Sequence, residues 1–321
     1  MNNSRVVEVG GECDCADAQD LLGKLSPLHP FWQPDPSRWI FRGQGRAHEL
    51  FPKAYRKESD QFVEFGLSCP PNSDWDVLGK AHTKLQTRFH LALDRAGLGI
   101  PTRQPKVSHG AAQSSYSNEV APEAYPLLAL AQHLGLPTQL LDWSLHSRVA
   151  TYFAAESAVR KKYDAAQRSR NGESNPASHE GESAVPENMV IWALNRDVVR
   201  EEGGRNDGTS VVLMTAPRAS NPNLHAQSGV FTWIRGGGAH LLPLDKHIEA
   251  MVADNPAHAE SSGVAMPFMR RLTLPEAFAP TLLRLLSYEG VDGSSMFPGY
   301  DGVVKAMRER ARWDIPPEDD R

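Results

Sequence analysis

Ala131-Gln132-His133-Leu134-Gly135-Leu136-Pro137-Thr138-Gln139-Leu140-Leu141-Asp142-Trp143-Ser144 contains a helix end, a turn, a strand and the start of another helix. The pattern predicts a helix from Glu123 to Leu134, closed by Gly135, because glycine follows a helix in left-handed backbone at little cost. Thr138 to Trp143 is a short apolar run bounded by turn signals, which favours a buried strand. Asp142 lies inside that run, where a charge is costly unless it is paired. Ser144 is placed to cap a helix from Leu145 to Glu156.

Upstream, Arg38 to Gly43 reads as a strand, with aromatic and β-branched residues ended by Gly43 and Gly45. Val77 to Gly97 reads as an amphipathic helix, with Val77, Ala81, Leu85 and Phe89 as its apolar stripe. Leu21, Leu22, Leu25 and Leu28 read as a helical turn capping the core. Residues 101–122 read as a polar loop. Downstream, strands are expected over Met189–Leu194, Ser210–Met214, Gly229–Ile234 and Phe268–Leu274. Pro275 would open a helix to Tyr288, and a last helix would follow Asp301-Gly302. Helices and strands do not alternate as regular βαβ units, which favours an α+β fold. The expectation is one domain over about 38–312, with a mixed or antiparallel sheet flanked by helices around a cleft. Residues 1–37 would be an N-terminal segment, 158–187 a polar mobile insertion and 313–321 a charged tail.

The 321 residues can bury a sizeable core. With 34 Lys+Arg against 39 Asp+Glu the formal charge is −5, which disfavours a non-specific grip on nucleic acid. No apolar stretch approaches the ~20 residues that span a bilayer, and no basic-then-apolar leader opens the sequence, so a cytoplasmic protein without membrane contact is expected. Cys13 and Cys15 form a CxC pair and Cys69 stands apart, which is no disulfide framework. The 12 histidines are scattered, so no metal site is expected. Gly43-Gln44-Gly45 lacks the third glycine of a dinucleotide fingerprint, since position 48 is His48. GxxxxGK[ST] and GxSxG are absent.

Three segments resemble the FRG domain family, named for its Phe-Arg-Gly signature. These are Phe41-Arg42-Gly43-Gln44 with Leu50-Phe51-Pro52 and Arg56; Ala131 to Ser144 with Ala150-Thr151-Tyr152-Phe153-Ala154; and Ala226 to Thr232. Met296-Phe297-Pro298-Gly299-Tyr300-Asp301-Gly302 is similar to the family's closing motif. The family usually carries Arg where this chain has Gln139, and Asn-Pro where it has Ser147-Arg148.

The order of these motifs is similar to the layout of ADP-ribosyltransferases, which split NAD between nicotinamide and ribose. That resemblance implies NAD as a substrate and a macromolecule as acceptor or partner. It implies catalytic roles for Arg42, Ser144 and Gln227, and cofactor contacts from Arg42, Gln132, His133, Asp142 and Trp143. The chemistry asks for such parts: a guanidinium forks onto phosphate oxygens, and a carboxylate stabilises an oxocarbenium-like transition state. Gln227 is neutral and cannot be a base; Glu289 and Asp301 are the spare carboxylates. Each residue also has a plainer role: Arg42 as an ion-pair partner of Asp142, His133 at a helix end, Ser144 as a cap, Trp143 as a core wall. The competing functional readings are a non-catalytic module recognising protein or nucleic acid, and a nucleotide hydrolase. An acidic side chain facing the same cleft as Arg42 would favour an enzyme, and Gln227 alone there would favour binding.

Overall fold

The computed structural model describes residues 10–56, 61–70, 72–101, 125–171, 187–201, 211–216, 221–234, 242–254 and 267–313. Its strands are β1 (Gly10–Asp14), β2 (Trp39–Gln44), β3 (Leu141–Ser144), β4 (Asn188–Asn195), β5 (Arg200–Glu201), β6 (Val211–Met214), β7 (Gly229–Ile234) and β8 (Met269–Pro275). They form one eight-stranded sheet in the order β1-β8-β4-β2-β3-β7-β6-β5. The β1/β8 and β5/β6 pairs are parallel and the others antiparallel, so the fold is α+β with a mixed sheet.

The helices are α1 (Ala18–Lys24), α2 (Trp75–Arg95), α3 (Tyr125–His133), α4 (Ser147–Arg170), α5 (Pro222–Ala226), α6 (Leu244–Asp254), α7 (Ala279–Tyr288), α8 (Gly293–Met296) and α9 (Tyr300–Trp313). Side chains alternate across a strand, and the two faces bury different partners. Phe41, Ile191 and Leu272 pack with α1, α4 and α7. Ile40, Trp143, Leu194 and Met269 pack on the other side with α2 and α6. Phe231, Trp233 and Met214 pack with α3, on the same face of the sheet as α4.

The feature that positions the site is a near-break in this sheet. β2 pairs with β4 continuously, from Trp39–Asn195 to Gln44–Val190. β3 pairs with β7 along its whole length. Between β2 and β3 the only paired residues are Phe41 and Ser144. Two half-sheets therefore meet at one rung, with α4 over one half and α3 over the other. α4 can lie against β2 because Gly43 has no side chain: a Cβ there would stand 1.8 Å from the Ala150 carbonyl oxygen. This close approach is the physical reason for the glycine of the Phe-Arg-Gly signature.

Several local readings need correction. Gly10–Asp14 and α1 belong to the domain: β1 adds an edge strand to β8, Arg271 pairs with Glu12 at 2.9 Å, and Leu21, Leu22 and Leu25 are buried. A short polar strand with two glycines has no apolar pattern to announce it. Leu28 is exposed. The insertion begins later than composition implied, because α4 continues to Arg170 with Ala158 and Val159 buried; residues 172–186 lie outside the described residues. So do 314–321, and most of the polar loop expected over 101–122. In α2 the buried residues are Leu78, His82, Leu85 and Leu93, while Val77 is exposed. The fourfold spacing drifts around a helix of 3.6 residues per turn. Ser144 ends β3, and the residue preceding α4 is His146. Pro275 ends β8, and Asp301-Gly302 falls inside the first turn of α9.

Candidate functional site

Over the near-break lies a cleft of about 340 Å³, within the size range of small-molecule sites. Its floor is β2, β3 and β7, its sides are α3 and α4, and its far wall is α5 with the end of α8. Arg42, Gln132, His133, Asp142, Trp143, Ser144 and Gln227 all line it. Three segments distant in sequence are thus brought into one site.

Arg42 is out of phase with Phe41 and Gly43 on the pleat, and its guanidinium occupies the gap where the β2/β3 ladder stops. Its Nη1 donates to the Asp142 carbonyl at 2.8 Å and lies 3.7 Å from Asp142 Oδ2. Nε is buried without a partner among the described residues. Burial pushes the Arg42 pKa down and the Asp142 charge opposes this; guanidinium stays charged at neutral pH. The side chain is 12% exposed, against 54% for Asp142. The pair is therefore a mostly buried cation beside a carboxylate that faces water.

Asp142 is oriented by Gln132, whose Nε2 donates to Oδ2 at 2.7 Å. Gln132 is itself fixed, since its Oε1 accepts from the Thr138 hydroxyl. His133 Nε2 lies 3.3 Å from Asn223 Nδ2, at the rim where α3 meets α5. Ser144 Oγ accepts from the His146 N–H at 3.0 Å and donates to the Gln227 carbonyl at 2.8 Å. Ser144 thus ties β3 to the turn before β7. That turn places Ser228 in left-handed backbone at φ 46. Trp143 Nε1 donates to Thr232 Oγ1 at 2.9 Å. The indole is buried in the core on the α2 and α6 side of the sheet, so the expected cofactor contact from this ring gives way to its role as a core wall.

Gln227 does not stand free. Its Nε2 donates to the Met296 carbonyl at 3.2 Å. That carbonyl is positioned by a chain of contacts from the C-terminus. Asp292 caps α8 by accepting from the Ser294 and Ser295 N–H groups. The buried Glu309 accepts from the Gly293 N–H at 3.0 Å and from the Tyr152 hydroxyl at 2.5 Å. Burial raises the Glu309 pKa, against the lowering effect of these hydrogen bonds. Phe297, just past α8, then closes the cleft beside Phe153 on α4.

The late carboxylates stand elsewhere. Glu289 pairs with Arg148 at 2.7 Å, and Asp301 is exposed on α9. Neither lines the cleft, whose only lining carboxylate among the described residues is Asp142. Gln139 is buried and lies 3.5 Å from the Tyr55 hydroxyl, away from the cleft. Arg148 joins α4 to α1 and α7 by donating to the Leu22 carbonyl and Glu289. Sequence reasoning missed the walls: Phe153, Phe231 and Phe297 line the cleft, although each lies within a quoted motif. Among the described residues no group of three or more His, Cys, Asp and Glu is placed to hold a metal ion. No helix there is long and apolar enough to cross a membrane.

Comparison with curated proteins and with solved structures finds no match. The FRG domain model matches residues 37–163. That stretch holds β2, α2, α3, β3 and most of α4. It thus carries Arg42, Gln132, His133, Asp142, Trp143 and Ser144, while Gln227 and Phe297 join the cleft from beyond it. The Phe-Arg-Gly strand and the Ala131–Ser144 motif, two sides of one cleft, both fall within the residues 37–163 that match the FRG domain family.

Proposed function

We propose that the cleft binds a nucleotide of the NAD type, and that the chain acts as a binding domain and not as an ADP-ribosyltransferase. The observation that carries this reading is the pairing of a buried guanidinium with aromatic walls. Arg42 offers a guanidinium, 12% exposed, in a cleft also lined by Phe41, Phe153, Phe231 and Phe297. A guanidinium suits phosphate oxygens, and flat aromatic surfaces suit a base or a nicotinamide ring. Gln132, Asp142 and His133 at the rim supply hydrogen-bonding groups for ribose or amide.

The case against turnover rests on charge. Cleavage of the nicotinamide–ribose bond needs negative charge at the developing cation, and removing such help costs roughly 10²–10³ in rate. Asp142, the lining carboxylate, is engaged by Gln132 and offset by Arg42. Gln227, at the position the resemblance assigns to catalysis, is neutral and spends its amide on the Met296 carbonyl.

The test is calorimetry with NAD, ADP-ribose and nicotinamide, together with chromatography for free nicotinamide after incubation with NAD. Saturable binding of NAD or ADP-ribose without nicotinamide release is expected. Nicotinamide release would restore the transferase reading. No binding of any of the three would leave the recognition-module reading.

A further inference from the structure

The last helix carries its apolar stripe on the wrong side for a monomer. α9 buries Gly302, Ala306 and Glu309 against the rest of the domain. Its outward side bears Tyr300, Val304, Met307 and Ala311, all exposed, with Tyr300 at 94% and Met307 at 64%. Their spacing of four, three and four residues is that of a coiled-coil seam, alternating d and a positions. A polar outer face is the ordinary expectation for a helix packed on a core.

The residues flanking the seam identify the occupant. With Tyr300 and Met307 at d, Asp301 and Arg308 fall at e, and Val303 and Arg310 at g. In an antiparallel pair of helices e faces e and g faces g. Two copies of α9 docked antiparallel would set Asp301 of each protomer against Arg308 of the other, forming two opposite-charge pairs by symmetry. The g positions would lay the Arg310 stem along Val303. The seam layers also match in size: Tyr300 meets Ala311, and Val304 meets Met307. A parallel arrangement sets e against g, which places Arg308 beside Val303 and leaves Asp301 without a basic partner.

We propose that α9 is a homodimerisation helix, pairing antiparallel with α9 of a second copy of this chain. Such an interface is isologous, as a two-fold dimer requires. It is small, with four seam residues a side, so the dimer is weak and concentration-dependent. It forms on the outer face of α9, and so does not depend on what the cleft binds.

The experiment is sedimentation equilibrium of the full chain over a wide concentration range. The apparent mass should rise from that of one 35.4 kDa chain towards that of two. Met307→Asp, on an exposed position, should raise the dissociation constant by about tenfold or more, the equivalent of one lost buried contact. Asp301→Arg and Arg308→Asp should each weaken the dimer by opposing like charges. The double variant should recover it, because both pairs are re-formed with signs exchanged. Thermal melts would show that each variant is folded. A single-chain mass at every concentration would overturn the proposal and leave the stripe to a helix of another protein. A dimer indifferent to Met307→Asp, or a charge swap without recovery, would overturn it equally.

Discussion

Replacing Arg42 separates its two roles. In Arg42→Ala the domain loses the hydrogen bond from Nη1 to the Asp142 carbonyl, made at 2.8 Å by a charged donor. Such bonds contribute about 1.5–3 kcal/mol. The ion pair adds little, because Asp142 Oδ2 is 3.7 Å away and the carboxylate is half-exposed; exposed pairs contribute about 0–1 kcal/mol. Against these losses, the variant removes a buried guanidinium whose Nε has no partner among the described residues, which relieves a desolvation cost. The net loss should be about 1–2 kcal/mol, well below the roughly 3–5 kcal/mol of a broken buried ion pair. Asp142 is not stranded, because Gln132 and water still serve it. Ligand binding should respond more strongly. Arg42→Lys keeps the charge and loses the planar fork, so affinity for ADP-ribose should fall about tenfold or more, the equivalent of one charge-assisted hydrogen bond. The assays are urea denaturation of the free protein and calorimetry of wild type, Arg42→Lys and Arg42→Ala with ADP-ribose. If Arg42→Ala costs above about 3 kcal/mol and ADP-ribose binding is the same in Arg42→Lys as in wild type, the guanidinium is a structural post, and its assignment to phosphate fails.

Two further outcomes test the scaffold. Gly43→Ala places a methyl 1.8 Å from the Ala150 carbonyl oxygen; neither backbone can yield without parting β2 from α4, so a loss of at least ~2 kcal/mol in urea denaturation is expected. His82 is buried in α2, and burial pushes its pKa down from 6.5 to about 4. The folded protein holds it neutral while the unfolded chain protonates it, so its contribution to stability is intact above pH 6.5 and drains away as pH falls towards 4. The loss should approach roughly 3 kcal/mol at most, and His82→Gln should flatten that part of the pH–stability curve; equal slopes in the two proteins would show that His82 titrates normally.

Much of the architecture was legible because it rests on local rules. The Gly229–Ile234 strand is apolar but for Thr232 and occurs as read. Gly135 closes α3 at φ +89, as a glycine after a helix does. The signature residues marked the cleft before any topology was known, because strand ends and helix ends carry the polar side chains that a sheet cannot bury. What sequence could not show was relative placement. β1 is five residues of weak pattern, and its membership of the sheet depends on β8, more than two hundred residues away. The phase of the α2 stripe was set by what lies beneath it, so His82 went inside and Val77 outside.

The single rung between Phe41 and Ser144, which opens the cleft, is a property of two strands meeting and of neither strand alone. Glu309 shows the same limit: in sequence it is one more charge on a terminal helix, and only packing aims it at Tyr152 and the Gly293 amide. Residue type and spacing thus determined the fold class, the main elements and the chemistry available to the cleft. The tertiary structure decided which charges meet, which stay free and which face of α9 is left uncovered. Contacts between distant residues are set by how whole faces pack, and that information is spread over the chain and not written at any one position.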